Sequence, residues 1–154
     1  MPAEYDLSGS VALVTGAGGD IGRTVAVRLA GSGAAVVLTD LERAAEGLER
    51  TRAACADLRE HSHVLIAPAD VTDAASVAAC FDVAAERFGV PDRVFNNAGV
   101  QGQLLPLQDY PIDDFAFVMD VNVNGIFHVL LEASRRMREA GIAGAITNLS
   151  LIHI

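Results

Sequence analysis

The residues best suited to chemistry in this chain lie in and after a glycine-rich stretch near its start. Residues 15–22 follow an apolar run and directly precede a helical pattern. In a parallel α/β protein, a strand, a glycine-rich turn and a helix in that order present backbone N–H groups to a phosphate. Gly16 allows the tight turn, and Gly22 lets the helix pack on the strand. Asp40 ends the next apolar run, where a carboxylate can bind ribose hydroxyls, so the pattern predicts a dinucleotide site.

The elements that must position these residues alternate along the chain. Short apolar runs rich in Val and Leu predict buried parallel strands at 10–15, 35–39, 64–66, 93–95 and 145–149. Helical patterns are predicted at 20–32, 42–60, from Thr72 or Asp73 to about 88, and at 112–140 with a break near 122–125. The first helix has an apolar face, and two leucines of the second helix are predicted to turn inward. The face consists of Ile21, Val25, Leu29 and Ala30, and the leucines are Leu48 and Leu58.

This alternation predicts an α/β fold, a doubly wound parallel sheet of five strands with right-handed crossovers and helices on both faces. No internal repeat or linker divides the sequence. We expect residues 1–154 to form a single dinucleotide-binding domain.

The composition of the chain limits the classes of molecule that it can bind. It has 154 residues, 51% of them hydrophobic, and a net charge of −9 at pH 7. An acidic surface repels phosphodiester backbones, so nucleic-acid binding is not expected, whereas a small anionic cofactor can bind at a helix N-terminus. Uninterrupted apolar stretches are shorter than the roughly 18 residues of a membrane span, so no membrane association is expected. Cys55 and Cys80 fit no metal-ligand spacing, and the sequence favours a reduced, cytoplasmic protein without a metal site.

Four motifs together resemble the short-chain dehydrogenase/reductase family of NAD(P)-binding Rossmann-fold oxidoreductases. They are the turn at Thr15–Gly22, Asp70-Val71 after the third strand, Asn96–Gly99 after the fourth, and Val121–Gly125 in the long helix. The likeness runs from residue 8 to residue 150, and the order and spacing of the motifs make it specific. The resemblance implies hydride transfer between NAD and a secondary alcohol or ketone.

The resemblance also implies which residues bind the cofactor. The pyrophosphate would lie near Gly16, Ile21 and Gly22, at the N-terminus of the first helix. Asp40 would accept hydrogen bonds from both adenosine ribose hydroxyls, and its charge would repel the 2′-phosphate of NADP, so NAD is favoured. Arg43 is the nearest cation and could reduce that preference.

The later motifs would serve the adenosine and the reaction centre. Asp70 would contact the adenine amino group with Val71 beside it, and the alternative for Asp70 is a helix-capping acid. Asn122 matches the supporting asparagine of the family's catalytic set, which orders the helix and a proton-relay water. The segment that would lie along the adenosine and brace the sheet consists of Asn97, Ala98 and Gly99.

Asp20 departs from the family pattern, which has a glycine at this position of the turn. A carboxylate close to a pyrophosphate weakens binding unless it points away. The favoured interpretation is that Asp20 caps the first helix and interacts with its positive end. The alternative is that it lowers the affinity for the cofactor.

The family's catalytic Ser, Tyr and Lys have no match in these residues. A lysine three or four positions after the tyrosine lowers the tyrosine's pKa in the family, and this chain contains no lysine. Ser150 matches the first serine of the family's Asn-x-Ser-Ser pattern, but Leu151 occupies the position of the second. We therefore expect a chain cut short before the last strands of the family fold, with a non-family tail at 151–154 and no ordinary dehydrogenase turnover.

Two classes of function remain open. The leading expectation is an NAD-dependent alcohol or ketone oxidoreductase, represented by an incomplete chain. The alternative is a non-catalytic NAD-binding module or an inert fragment. The resemblance further implies a homo-oligomer formed through the helix at 125–140, and the sequence does not identify the substrate.

Overall fold

The computed structural model describes residues 5–56 and 63–149, within which five strands and five helices follow one another. The strands are β1 (Val11–Thr15), β2 (Ala35–Thr39), β3 (Val64–Ile66), β4 (Arg93–Asn96) and β5 (Ala145–Asn148). The helices are α1 (Asp20–Gly31), α2 (Ala45–Ala56), α3 (Ala74–Phe88), α4 (Ile112–Met119) and α5 (Ile126–Glu139).

The strands form one parallel sheet in the order β3-β2-β1-β4-β5. β1 lies at the centre, with Leu13 opposite Val37 of β2 on one side and opposite Val94 of β4 on the other. The strand order reverses at β1, and such a reversal leaves a crevice at the carboxyl ends of the strands. The predicted doubly wound α/β sheet is therefore confirmed.

Each face of the sheet has its own hydrophobic core, because the side chains of β1 alternate between them. Leu13 packs in a cluster that includes Phe81 of α3 and Val129 of α5. Val14 packs in a second cluster that includes Leu48 of α2. All residues of β1 are buried, as the run of apolar residues in its sequence indicates.

Two helices differ from their predicted bounds. α2 begins at Ala45 rather than at residue 42, because a 3₁₀ turn at Glu42–Ala44 carries the chain out of β2. Residues 57–60, including Leu58, lie outside the described residues. The break predicted near 122–125 is a π-helical turn, Asp120–Gly125, between α4 and α5.

The helical segment Ile112–Glu139 is long and apolar enough to cross a membrane, judged by length and composition only. Polar residues such as Asp120 and Asn124 interrupt its apolar positions, so it contains no uninterrupted apolar run of that length. In the fold, the segment buries Val121 and Val129 and leaves other large apolar side chains exposed. Its high mean hydropathy therefore comes from apolar residues on an inward and an outward face.

Candidate functional site

A cleft of about 1370 Å³ opens where β1, β2 and β4 end. The glycine-rich turn follows β1, Asp40 follows β2, and Asn97 follows β4, so parallel strands bring distant residues to one edge of the sheet. The cleft is lined by all the residues singled out from the sequence, which are Gly16, Asp20, Ile21, Gly22, Asp40, Asp70, Val71, Asn97, Ala98, Gly99 and Asn122. Lining residues that the sequence did not indicate include Thr39, Leu41 and Val100.

The glycine-rich turn packs α1 closely against the end of β1. A β-carbon on Gly22 would lie 2.2 Å from the carbonyl oxygen of Gly16, so this approach requires glycine. The N-cap of α1 is Gly19, which has no side chain to offer the first-turn N–H groups. Those donors and the positive end of the helix dipole together favour an anion at this point of the cleft.

Asp40 is held by backbone donors on both of its carboxylate oxygens. Oδ2 accepts a hydrogen bond from the N–H of Gly18 at 3.0 Å, and Oδ1 accepts one from the N–H of Leu41 at 2.8 Å. Each carboxylate oxygen can accept more than one hydrogen bond. Asp40 is therefore an oriented acceptor with capacity left for the hydroxyl groups of a ligand.

The structure corrects the capping role predicted for Asp20, although this residue does lie in the first turn of α1, at the positive end of the helix. Asp20 does not cap α1, because it is the first residue of the helix rather than its N-cap, and its carboxylate pairs with Arg23. The Asp20 side chain is 92% exposed. Ile21, which was expected near the pyrophosphate, is 46% exposed and lines the cleft. Asp20, Ile21 and Gly22, in the first turn of α1, all line the cleft.

Asp70 holds the loop between β3 and α3. Its Oδ1 accepts hydrogen bonds from the backbone N–H of Thr72 at 2.9 Å and from the Thr72 hydroxyl at 2.7 Å. Asp73, not Asp70, caps α3 by accepting a hydrogen bond from the N–H of Ala75. The helix-cap alternative for Asp70 is therefore wrong, and this acid organises a turn that lines the cleft.

Val71 lies beside Asp70 and is fixed from α5. Nδ1 of His128 lies 2.9 Å from the Val71 carbonyl oxygen, within hydrogen-bond distance. A β-carbon on Gly125 would approach Cγ2 of Val71 to 2.7 Å, so the π-helical turn touches this residue as well. His128 of α5 thus contacts the backbone of the loop that lines the cleft.

Asn97 and Ala98 join the ends of β1 and β4. The Thr15 hydroxyl accepts hydrogen bonds from the backbone N–H groups of Asn97 and Ala98, both at 2.9 Å. The Asn97 amide donates to the Thr15 carbonyl oxygen at 2.8 Å. These three hydrogen bonds brace the sheet beside the glycine-rich turn.

Asn122 connects the π-helical turn to the loop after β4. Its amide nitrogen donates to the Val100 carbonyl oxygen, and its amide oxygen accepts from the Val100 N–H, both at 2.9 Å. The side chain therefore pairs with a backbone segment as another strand would. This arrangement holds the loop against the helix at the wall of the cleft.

Two further hydrogen bonds order the loop between β4 and α4. The Tyr110 hydroxyl donates to Oδ2 of Asp114 at 2.6 Å, and the N–H of Gln103 donates to the same oxygen at 3.0 Å. The hydrogen bond from Tyr110 is the main cause that lowers the pKa of Asp114, and the same bond raises the pKa of Tyr110. The sequence gives no indication of this pair apart from the four-residue spacing of Tyr110 and Asp114.

Ser150, Leu151 and the tail at 151–154 lie outside the described residues. The expectations attached to them therefore stay predictions.

Comparison with known proteins gives a consistent family assignment. The model of the short chain dehydrogenase family matches residues 10–152. Levodione reductase of Leifsonia aquatica is 39% identical over 142 residues, which cover 92% of this chain and 52% of that protein. The structure of an NAD+-bound xylitol dehydrogenase is 44% identical with a TM-score of 0.81, and the match covers 92% of this chain and 52% of that one.

A short-chain dehydrogenase/reductase from Burkholderia phymatum in complex with NAD is 33% identical, with a TM-score of 0.84. That match covers 94% of this chain and 50% of the other. The chain spans about half the length of the curated relatives it matches. Its sheet order, its glycine-rich turn and the extent of the family match lead to one conclusion: the chain belongs to the short-chain dehydrogenase family.

Proposed function

We propose that this chain is the cofactor-binding part of an NAD-dependent oxidoreductase that acts on a secondary alcohol or ketone. The observation that carries the proposal is the meeting of the glycine-rich turn, Asp40, Asp70 and Asn97 in one cleft. Relatives named as reductases and dehydrogenases of small molecules support this reaction class.

The residues present fit a dinucleotide. The uncapped N-terminus of α1 suits a pyrophosphate, and the contact between Gly16 and Gly22 leaves no side chain to block the turn. The oriented carboxylate of Asp40 suits ribose hydroxyls and would repel a 2′-phosphate, which favours NAD over NADP. Two matched structures contain NAD, in agreement with this choice.

Bound NAD would supply a hydride acceptor at its nicotinamide ring. In the proposal, the residues of this chain bind and orient that cofactor, and Asn122 supports the site from the π-helical turn. The 154 residues contain no lysine, so the Tyr–Lys pair implied by the family resemblance is not among them. We therefore propose that this chain alone binds NAD without turning over an alcohol.

The second candidate is a non-catalytic NAD-binding module, because all the residues predicted to bind the cofactor line the cleft. Translating the coding DNA beyond residue 150 in all frames separates the two. A Tyr-x-x-x-Lys motif in another frame would support the oxidoreductase, and its absence would support the module.

The test of cofactor binding is isothermal titration of the 154-residue chain with NAD. We expect saturable binding, and we expect Asp40→Asn to weaken it about tenfold or more, because hydrogen bonds to a charged group contribute roughly 1.5–3 kcal/mol. Glu46→Gln, an exposed change on α2, is the matched control. An absence of binding heat in the wild-type chain would identify an inert fragment, and NADH formation from secondary alcohols would contradict the proposed lack of turnover.

We also propose that a second copy of the chain covers the helix at 125–140. Phe127 and Leu131, four residues apart on α5, are 58% and 56% exposed. β5 is an edge strand and most of its residues are exposed, which extends the open surface.

The buried, unpaired Cys55 and Cys80 support a reducing, cytoplasmic setting.

A further inference from the structure

α2 touches the glycine-rich turn backbone to backbone. Gly47, in the first turn of α2, is buried, and a β-carbon there would lie 2.5 Å from the carbonyl oxygen of Gly18. The same β-carbon would lie 3.1 Å from Cα of Gly18. Glycine at 47 is thus required for α2 to pack this closely against the turn.

Thr51 lies one helical turn after Gly47 and is completely buried. Its hydroxyl oxygen lies 2.7 Å from the carbonyl oxygen of Ala17 and 3.1 Å from that of Gly47. A hydroxyl has a single proton to donate, and the shorter distance identifies Ala17 as its acceptor. The hydroxyl of α2 therefore bonds to the turn itself.

The Ala17 carbonyl and the Gly18 N–H belong to one peptide group. This group is trans, so the carbonyl and the N–H point in opposite directions. Thr51 binds the carbonyl end, and Oδ2 of Asp40 accepts a hydrogen bond from the N–H end at 3.0 Å. Thr51 and Asp40 hold the same peptide plane from its two ends, and hydrogen bonds linked in this way strengthen one another.

We propose that Thr51 is a positioning residue for the nucleotide, which acts through the Ala17–Gly18 peptide to keep the Asp40 carboxylate where it distinguishes a ribose hydroxyl from a 2′-phosphate. The proposal rests on the NAD binding proposed above. Thr51 itself is not among the residues that line the cleft. It therefore affects the ligand only through the peptide group that it holds.

Thr51→Val tests the hydroxyl, because valine has nearly the same shape and cannot donate a hydrogen bond. It leaves the carbonyl of the buried Ala17 without this donor. The peptide plane becomes free to tilt, and the Gly18 N–H loosens from Asp40. We expect NAD affinity to fall about fivefold to tenfold, in line with the loss of one buried hydrogen bond. We also expect the ratio of the dissociation constants for NADP and NAD to shrink about threefold or more.

Thr51→Ser keeps the hydroxyl and should preserve both the affinity and the NADP-to-NAD ratio. Cys55→Ala is the control for a structural effect, because it creates a cavity one turn later on the same helix and keeps the Thr51 hydroxyl. It should lower stability and leave the ratio unchanged. Thr51→Ala, which also lacks the hydroxyl, replaces Thr51→Val if the valine variant does not fold.

Amide hydrogen exchange of the ligand-free chain tests the same contact without a nucleotide. We expect exchange at Gly18 to speed up in Thr51→Val, relative to Val14 in β1, and to stay slow in Thr51→Ser. Unchanged exchange at Gly18 in Thr51→Val would overturn the proposal, as would equal losses of NAD and NADP affinity. Absence of NAD binding by the wild-type chain would instead overturn the proposed function, and the exchange experiment would still decide the role of Thr51 in holding the turn.

Discussion

Asp20 occupies a position where the family pattern has a glycine. Its ion pair with Arg23 reduces the repulsion between the Asp20 carboxylate and an anionic ligand. The two side chains form an ion pair on the first turn of α1, with 92% of the Asp20 side chain exposed. An exposed pair contributes little to stability, roughly 0–1 kcal/mol. The charges of the pair still affect an anion bound in the cleft, because Asp20 lines the cleft. Arg23 thus offsets a negative charge placed beside the proposed pyrophosphate position.

Removing Arg23 should therefore weaken NAD binding more than it weakens the fold. We expect Arg23→Gln to raise the dissociation constant about fivefold at low salt, and less at high salt, because screening reduces the repulsion by Asp20. Adding Asp20→Asn should restore the affinity. The measurement is isothermal titration of the four members of this double-mutant cycle. If Asp20→Gly in the wild-type background raises NAD affinity more than tenfold, Arg23 does not offset the charge.

At the scale of elements, one partly buried charge cluster fastens α5 to α3. Arg136 donates to Oε1 of Glu132 at 2.6 Å and pairs with Oδ1 of Asp82, on α3, at 2.7 Å. Arg135 pairs with the same Glu132 oxygen at 2.7 Å. Burial acts to raise the pKa of Glu132, but the hydrogen bonds and charges of Arg135 and Arg136 outweigh it, so that the pKa is lowered.

Glu132→Gln should destabilise the chain by about 1–2 kcal/mol near pH 7, since it removes charge-assisted hydrogen bonds. A carboxyl with a lowered pKa in the folded state contributes stability that is fully present above its unfolded pKa and disappears as pH falls through the folded pKa. The difference between wild type and variant should therefore vanish in acid. Urea unfolding from pH 7 to pH 3 measures this, with the exposed Glu49→Gln as control. A pH-independent difference would contradict this role for the Glu132 charge.

The site residues that follow the ends of strands could be predicted from the sequence. Asp40 and Asn97 each follow an apolar run, and a parallel sheet brings such positions together. Contacts made by side chains over long separations could not be predicted. The π-helical turn faces Val100 through Asn122, and Thr51 bonds to Ala17 across 34 residues. Local sequence periodicity does not indicate partners that lie so far apart along the chain.

At the scale of the whole molecule, we expect association through the outward face of α5 and of the π-helical turn before it. Val123, Phe127 and Leu131 follow one another at four-residue spacing, and each is about half exposed. Contiguous exposed apolar surface marks an interaction site or promotes aggregation. We expect the chain to self-associate or to be poorly soluble. Replacing Phe127 and Leu131 with Ser should increase the monomer fraction in light scattering, whereas Val83→Ser on α3 should not. A monodisperse wild-type monomer would contradict the expectation.

The strand order β3-β2-β1-β4-β5 also determines when each neighbour of β1 is synthesised. β1 is made early, but its neighbour β4 and the hydrogen bond from Asn97 to Thr15 come 82 residues later. At about 5–20 residues per second, the ribosome needs roughly 4–16 s to make that stretch. During this interval the nascent chain holds the glycine-rich turn without the brace from β4. The nucleotide cleft can therefore form only after β4 has been synthesised, and until then β1 has one of its two neighbouring strands.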